Sequence, residues 1–394
     1  MSLVCFAMSD ISKVATTIGR IVFVALAVCV LVPFPASAQA ITESSPTAAA
    51  HPPLLEHWRH SMANSRPPAA GCLTVSYPDT EWRRTQCVEA PRRPPARPPS
   101  LALLAVGDTN GDYSAQVASG TTISLAEGAF LRVSGLTAET DDGVANVFSL
   151  QLNSNRFSTP ACNGSMTGQT NGVSNCQGWA QFTYTNPFQA LSGPASYGGV
   201  YIQYWLINYG QSCPGGWSNN SGATIPDCYY NSPVTQVPLQ RISALGSFTL
   251  TGSPGSAGND SVVFSIGGTL YSAANLTSNP NIFLNGSWSV AEFNVVGDGG
   301  YTSAVFNTGT TLVVKTSVTN GMATPPTCTN GSTTGETNSL TRTPPCCPLA
   351  GSRDGSPPSI LFLESSVTPL PVTSCSALTH SLAWLPGVLR RLSR

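Results

Sequence analysis

Val147-Phe148-Ser149-Leu150-Gln151-Leu152 sets an apolar side chain at every second position from Phe148 on, and Ala180-Gln181-Phe182-Thr183-Tyr184 repeats the pattern. Tyr201-Ile202-Gln203-Tyr204-Trp205-Leu206-Ile207-Asn208-Tyr209 is longer and richer in aromatics. A period of two is the signature of a strand with one face on a core. Shorter runs of the same texture lie at 121–125, 129–133, 248–250, 262–266, 282–284, 291–296 and 311–316. Gly, Asn, Ser and Pro bound each one, as turns require. Between residues 101 and 318 no amphipathic stretch of helical period exceeds about two turns. Ten or more short strands without intervening helices predict an all-β fold, an antiparallel two-sheet sandwich or jelly roll.

The composition agrees. Of 394 residues only 9% are Asp, Glu, Lys or Arg, while 41% are hydrophobic, so low charge here accompanies a buildable core. A net charge of -1 gives no electrostatic case for nucleic acid. At the N-terminus Lys13 and Arg20 precede an apolar run at 21–32, then Pro33, Pro35 and Ala36-Ser37-Ala38. This order reads as a secretory leader cleaved after Ala38 or Ala40, and the run is too short for a bilayer span of about 20 residues. The expected organisation is a signal peptide over 1–38, then a Pro-rich N-terminal segment to 100 with one small disulfide loop, which could be a pro-segment. A β-sandwich over 101–323 and a Cys/Pro-rich extension with a basic tail to 394 follow. Secretion, with no membrane anchor once the leader is removed, is the expected location.

Outside the leader ten cysteines remain. Cys72 and Cys87, Cys162 and Cys176, and Cys213 and Cys228 form local pairs, spacing that predicts three disulfides in an exported chain. Cys328 and Cys346 are also placed among the bridged cysteines, although the partners of Cys328, Cys346, Cys347 and Cys375 stay open. Zinc-type spacing is absent, and no metal or other cofactor is expected.

Histidine is the informative absence. His51, His57, His60 and His380 all lie outside the strand-rich region, whose only lysine is Lys315. Ser-His-Asp and Cys-His chemistry are therefore not available from that region alone. Carboxylates remain, most of them beside turn residues. Asp108-Thr-Asn-Gly-Asp112 begins like a calcium loop but has Ser119 where a bidentate Glu is needed. Glu292 differs, because it sits in the strand-like Trp288-Ser-Val-Ala-Glu-Phe-Asn-Val-Val. Alternation puts it on one face with Val290 and Asn294, opposite Ala291 and Phe293. A carboxylate desolvated on such a sheet can serve as a general base on water; a solvent-facing charge on an edge strand is the competing reading.

Ala291-Glu292-Phe293-Asn-Val-Val-Gly-Asp298 resembles the strand that carries the catalytic glutamate of the glutamic peptidases, the eqolisins. Ala304-Val-Phe-Asn-Thr-Gly309 is similar to the turn that follows it. Tyr201-Ile-Gln-Tyr-Trp205 resembles their aromatic strand, and Phe148-Ser-Leu-Gln151-Leu the strand of their catalytic glutamine. The order along the chain is kept over roughly residues 144–316. Phe293 stands where the family has tryptophan, Gln203 lies near the place of an acidic residue, and a tryptophan motif before the glutamine is missing.

The resemblance implies a concanavalin-like sandwich with a groove across one face. It also implies an acid-acting endopeptidase with Gln151 and Glu292 as the catalytic pair, and Gln203, Trp205 and Trp288 among the substrate-binding residues. The partner would then be a polypeptide substrate. A non-catalytic module binding a surface glycan through its aromatics, and a structural envelope protein, are the competing readings. The mutual placement of Gln151 and Glu292 separates the first from the others.

Overall fold

The structure, a computed structural model, describes residues 52–90 and 112–367, with 374–376 and 378. Within these, 66, 165–174, 191–192, 195, 211, 221–226, 256–259, 276–281, 300–301, 331–333 and 353–354 are not described. The leader, the Pro-rich stretch 91–99, the first four residues (108–111) of the calcium-like loop and nearly all of the basic tail lie outside the described residues.

The alternating runs form strands in two large antiparallel sheets packed as a sandwich. One has nine strands, in the order Arg83–Arg84, Gly71–Ser76, Thr269–Asn275, Asp260–Ile266, Thr249–Ser253, Leu125–Ser134, Thr311–Thr319, Ser359–Ser365 and Thr341–Leu349. The other, the site sheet, runs Ser218–Asn220, Asp227–Asn231, Tyr197–Ile207, Gln177–Asn186, Phe148–Ser154, Val290–Val296, Tyr113–Gln116 and Thr327–Asn330. Val234–Pro238 adds to Tyr197–Ile207, and Cys87–Val88 to Val234–Pro238. Phe148, Leu150, Leu152, Phe182, Tyr184, Phe293 and Val295 point inward from the site sheet. They meet Phe130, Leu250, Phe264, Leu312 and Phe362 of the other. The sheets approach closely where the nine-stranded one carries glycine. A Cβ on Gly128 would lie 2.0 Å from the Phe293 ring, and one on Gly252 2.5 Å from Phe182.

The sandwich is larger than the 101–323 span drawn from sequence texture. Gly71–Ser76 pairs with Thr269–Asn275 on one side, and Thr341–Leu349 and Ser359–Ser365 extend the nine-stranded sheet on the other. Residues 41–68 show no helical periodicity, yet Pro52–Asn64 is a helix. Its Trp58 and Met62 cover Val75, Val263 and Leu270 on the outer face of the nine-stranded sheet. Arg59 reaches Glu127 Oε2 at 3.2 Å and Thr249 Oγ1 at 2.7 Å. Such a helix owes its existence to packing rather than to propensity.

The three disulfides predicted from spacing are present, with Cys328–Cys346 and Cys347–Cys375 besides. Cys72–Cys87 and Cys328–Cys346 each join a strand of one sheet to a strand belonging to the other. Among the described residues no helix is long and apolar enough to cross a membrane.

Candidate functional site

Pairing between Phe148–Ser154 and Val290–Val296 decides what Gln151 and Glu292 can do together. Gln151 lies opposite Asn294, and Asn153 opposite Glu292. Residues directly opposite share a face, so all four side chains leave the sheet on the side away from the core. Gln151 and Glu292 are then diagonal cross-strand neighbours, a relation that spans about 7–8 Å between Cα atoms. The neighbouring strands add Gln181 and Thr183, then Gln203 and Trp205, then Asn231 and Tyr229 to the same face.

These polar groups form a ladder across the strands. Gln203 Nε2 donates to Asn231 Oδ1 at 2.9 Å. Trp205 Nε1 is shared between Gln203 Oε1 at 2.9 Å and Gln181 Oε1 at 3.3 Å. Gln181 Nε2 donates to Gln151 Oε1 at 2.9 Å, and Gln151 Nε2 to Ser149 Oγ at 3.2 Å. Ser149 closes the row on the Gly297 carbonyl at 2.7 Å. Gln151 is thereby held at both ends of its amide, accepting from Gln181 and donating to Ser149, so a substrate oxygen would have to take over one of the amide's present bonds.

The site is enclosed: Gln151 is 5% exposed and Glu292 2%. Glu336, from the segment after Thr327–Asn330, hydrogen-bonds to the Gln151 side chain and accepts from the Thr334 hydroxyl. Burial pushes its carboxyl above the ordinary carboxylate range. At the other end Asn294 Nδ2 donates to Asp112 Oδ1 at 2.7 Å and to Glu364 Oε1 at 2.8 Å. Burial raises both carboxyls, Asp112 to about 6 and Glu364 well above its usual value. Sharing one hydrogen bond keeps the proton on Glu364 and the charge on Asp112.

Of the residues singled out by sequence, Gln151, Glu292, Gln203 and Trp205 share this face. Trp288 does not. Strand pairing begins only at Val290, so alternation does not reach back through the turn. The indole stacks on Phe182 in the core with ring centroids 5.3 Å apart, and its Nε1 donates to the Val290 carbonyl at 2.8 Å. Trp288 is a core residue rather than a substrate-binding one. Trp205 packs on the polar face with Trp179 and Tyr229 in a buried aromatic cluster.

Sequence reasoning put Asn294 on the face of Glu292 but missed Asn153 and Gln181, although the alternating strands contain them as well. It missed Glu336 and Glu364 because they come from the extension and only pairing brings them here. Among the described residues, no group of three or more His, Cys, Asp and Glu is placed to hold a metal ion. No protein-family model matches the chain, and no curated protein is significantly similar to it.

Proposed function

We propose that the chain is an exported glutamic-type endopeptidase working through Gln151 and Glu292. The supporting observation is the register that puts these two side chains diagonally across one pair of strands on the polar face. Glu292 as a carboxylate takes a proton from a water whose oxygen attacks the scissile carbonyl. The Gln151 amide donates to the oxyanion as it forms, a contact worth about 2.7–4 kcal/mol in comparable sites. Collapse of the tetrahedral intermediate breaks the C–N bond, and Glu292 returns its proton to the leaving amine. Both side chains are buried, so a polypeptide reaches the pair only when the chain covering it moves aside. The five disulfides suit an exported protein.

The test is cleavage of a denatured protein by the purified chain, leader removed, from about pH 2 to pH 7, bracketing the ordinary glutamate value of about 4.3. Activity is expected at the acid end. Gln151→Ala should lower kcat by about 10²–10³ and Glu292→Gln at least as much, both while folded. A wild type inert throughout favours the glycan-binding alternative. That reading draws on Trp179, Tyr184, Tyr204, Trp205, Trp217, Tyr229, Tyr230 and Trp288; sugar stacking needs exposed ring faces, and of these eight only Trp217 and Tyr230 are partly exposed.

A further inference from the structure

Among the amides of the polar face Asn153 stands apart. It is 1% exposed, and neither its Oδ1 nor its Nδ2 has a hydrogen-bond partner among the described residues. Its neighbours on the same face are not in that position: Gln151, Gln181, Gln203 and Asn294 all take part in side-chain hydrogen bonds. Burying an amide without partners is costly, and most buried amides avoid it. Nothing in the packing requires an amide at this position, since a leucine side chain has nearly the same shape. A polar group retained at a cost to stability points to use by something that is not part of the chain.

The register says what that use is. Asn153 lies directly opposite Glu292 on the adjacent strand, with Gln181 opposite on the other side. Directly opposite side chains in an antiparallel pair are the closest neighbours a sheet provides, with Cβ atoms about 4.5–5.5 Å apart. A water between an amide oxygen and a carboxylate donates one hydrogen to each. We propose that Asn153 holds and aims the attacking water. Its Oδ1 accepts the hydrogen that is not transferred, Glu292 removes the other as a proton, and the oxygen lone pair is left facing the scissile carbonyl. Gln151 serves the carbonyl oxygen and Asn153 the nucleophile, so the two amides on one strand serve the two reacting oxygens. This inference rests on the endopeptidase reading and adds a third catalytic residue to it.

The experiment compares Asn153→Leu and Asn153→Ser with wild type in the same cleavage assay, with kcat, KM and thermal midpoint measured for each. Asn153→Leu is expected to keep or raise the thermal midpoint, because it removes the unmatched amide. Its kcat should fall about 100-fold with KM within about threefold, since the substrate contacts are untouched, a loss in the range typical of general-base assistance. Asn153→Ser, whose hydroxyl can still accept from a water, should fall in between. Folded Leu and Ser variants with wild-type kcat would overturn the assignment while leaving the endopeptidase reading intact. So would a midpoint that drops by many degrees in both, which would mean that the amide is a structural member of the sheet. A wild type inert at every pH would remove the endopeptidase reading itself, and this assignment with it.

Discussion

Gly128 and Phe293 meet across the sandwich directly behind Glu292. The ring occupies the space a side chain at 128 would need, with the nearest ring atoms 2.0 Å from where a Cβ would sit. Gly128→Ala therefore forces Phe293 or its strand to move. Overpacking of this kind costs about 1–3 kcal/mol, sometimes more. Because Phe293 adjoins Glu292 in the chain, the shift would also misplace the carboxylate. We predict that Gly128→Ala lowers both stability and any cleavage activity. Combined with Phe293→Leu, the stability loss should be smaller than the sum of the single losses by about 0.5–3 kcal/mol. Strict additivity in chemical denaturation would show that the two residues do not share this space. The facing sheet leaves a glycine-sized gap, and Phe293 fills it.

At the level of elements, the strands Phe148–Ser154, Gln177–Asn186, Tyr197–Ile207 and Val290–Val296 were legible because one face is apolar and the other amide-rich. Alternation also assigned Gln151 and Glu292 to faces correctly. It could not say which strands are neighbours, since pairing over long separations leaves no local trace. Hence Asn153 and Gln181 went unnoticed, and Trp288, expected at the site from the resemblance, lies in the core because the turn before Val290 turns it inward. The helix Pro52–Asn64 was hidden because its stability comes from Val263 and Leu270, about 200 residues away in sequence. The extension was drawn outside the sandwich: Ser359–Glu364 reads as a strand in the sequence, but the prolines and cysteines of Thr341–Leu349 mask the edge strand that pairs with it.

That extension brings Glu336 to Gln151, and its chemistry gives a prediction. Above its raised titration range the Glu336 carboxylate binds the amide as a charge-assisted acceptor; below it the neutral acid binds more weakly. Glu336→Ala should therefore raise kcat/KM several-fold above that range and much less near pH 3, below it. Equal effects in both conditions would dissociate Glu336 from any control of Gln151.

Across the whole molecule, the few charges are used unusually. Among the described residues there are three ion pairs, two of them on Arg59. By contrast four buried carboxyls, Asp112, Glu139, Glu336 and Glu364, all titrate above their usual range. Burial is the leading cause in each, with Asp141 and Asp298 adding repulsion at Glu139. Asp112 is raised to about 6 and Glu139 to about 8. For an acid raised in this way the folded chain binds more protons than the unfolded one between the ordinary and the raised values. Stability must then increase as pH falls through that interval and level off near the ordinary carboxylate range of about 4. A net gain of about 2 kcal/mol corresponds to about 3–4 °C for a domain of about 300 residues. We predict a thermal midpoint higher by about that much at pH 4.5 than at pH 8, measured at fixed ionic strength with the disulfides intact. Glu139→Gln should flatten the upper part of the rise, between about pH 6 and pH 8. A midpoint that is level or lower in acid would mean that these carboxyls are ionised and paired in the folded protein. An acid-stabilised fold around a glutamate base would let the same conditions that favour the proposed chemistry also favour the structure that performs it.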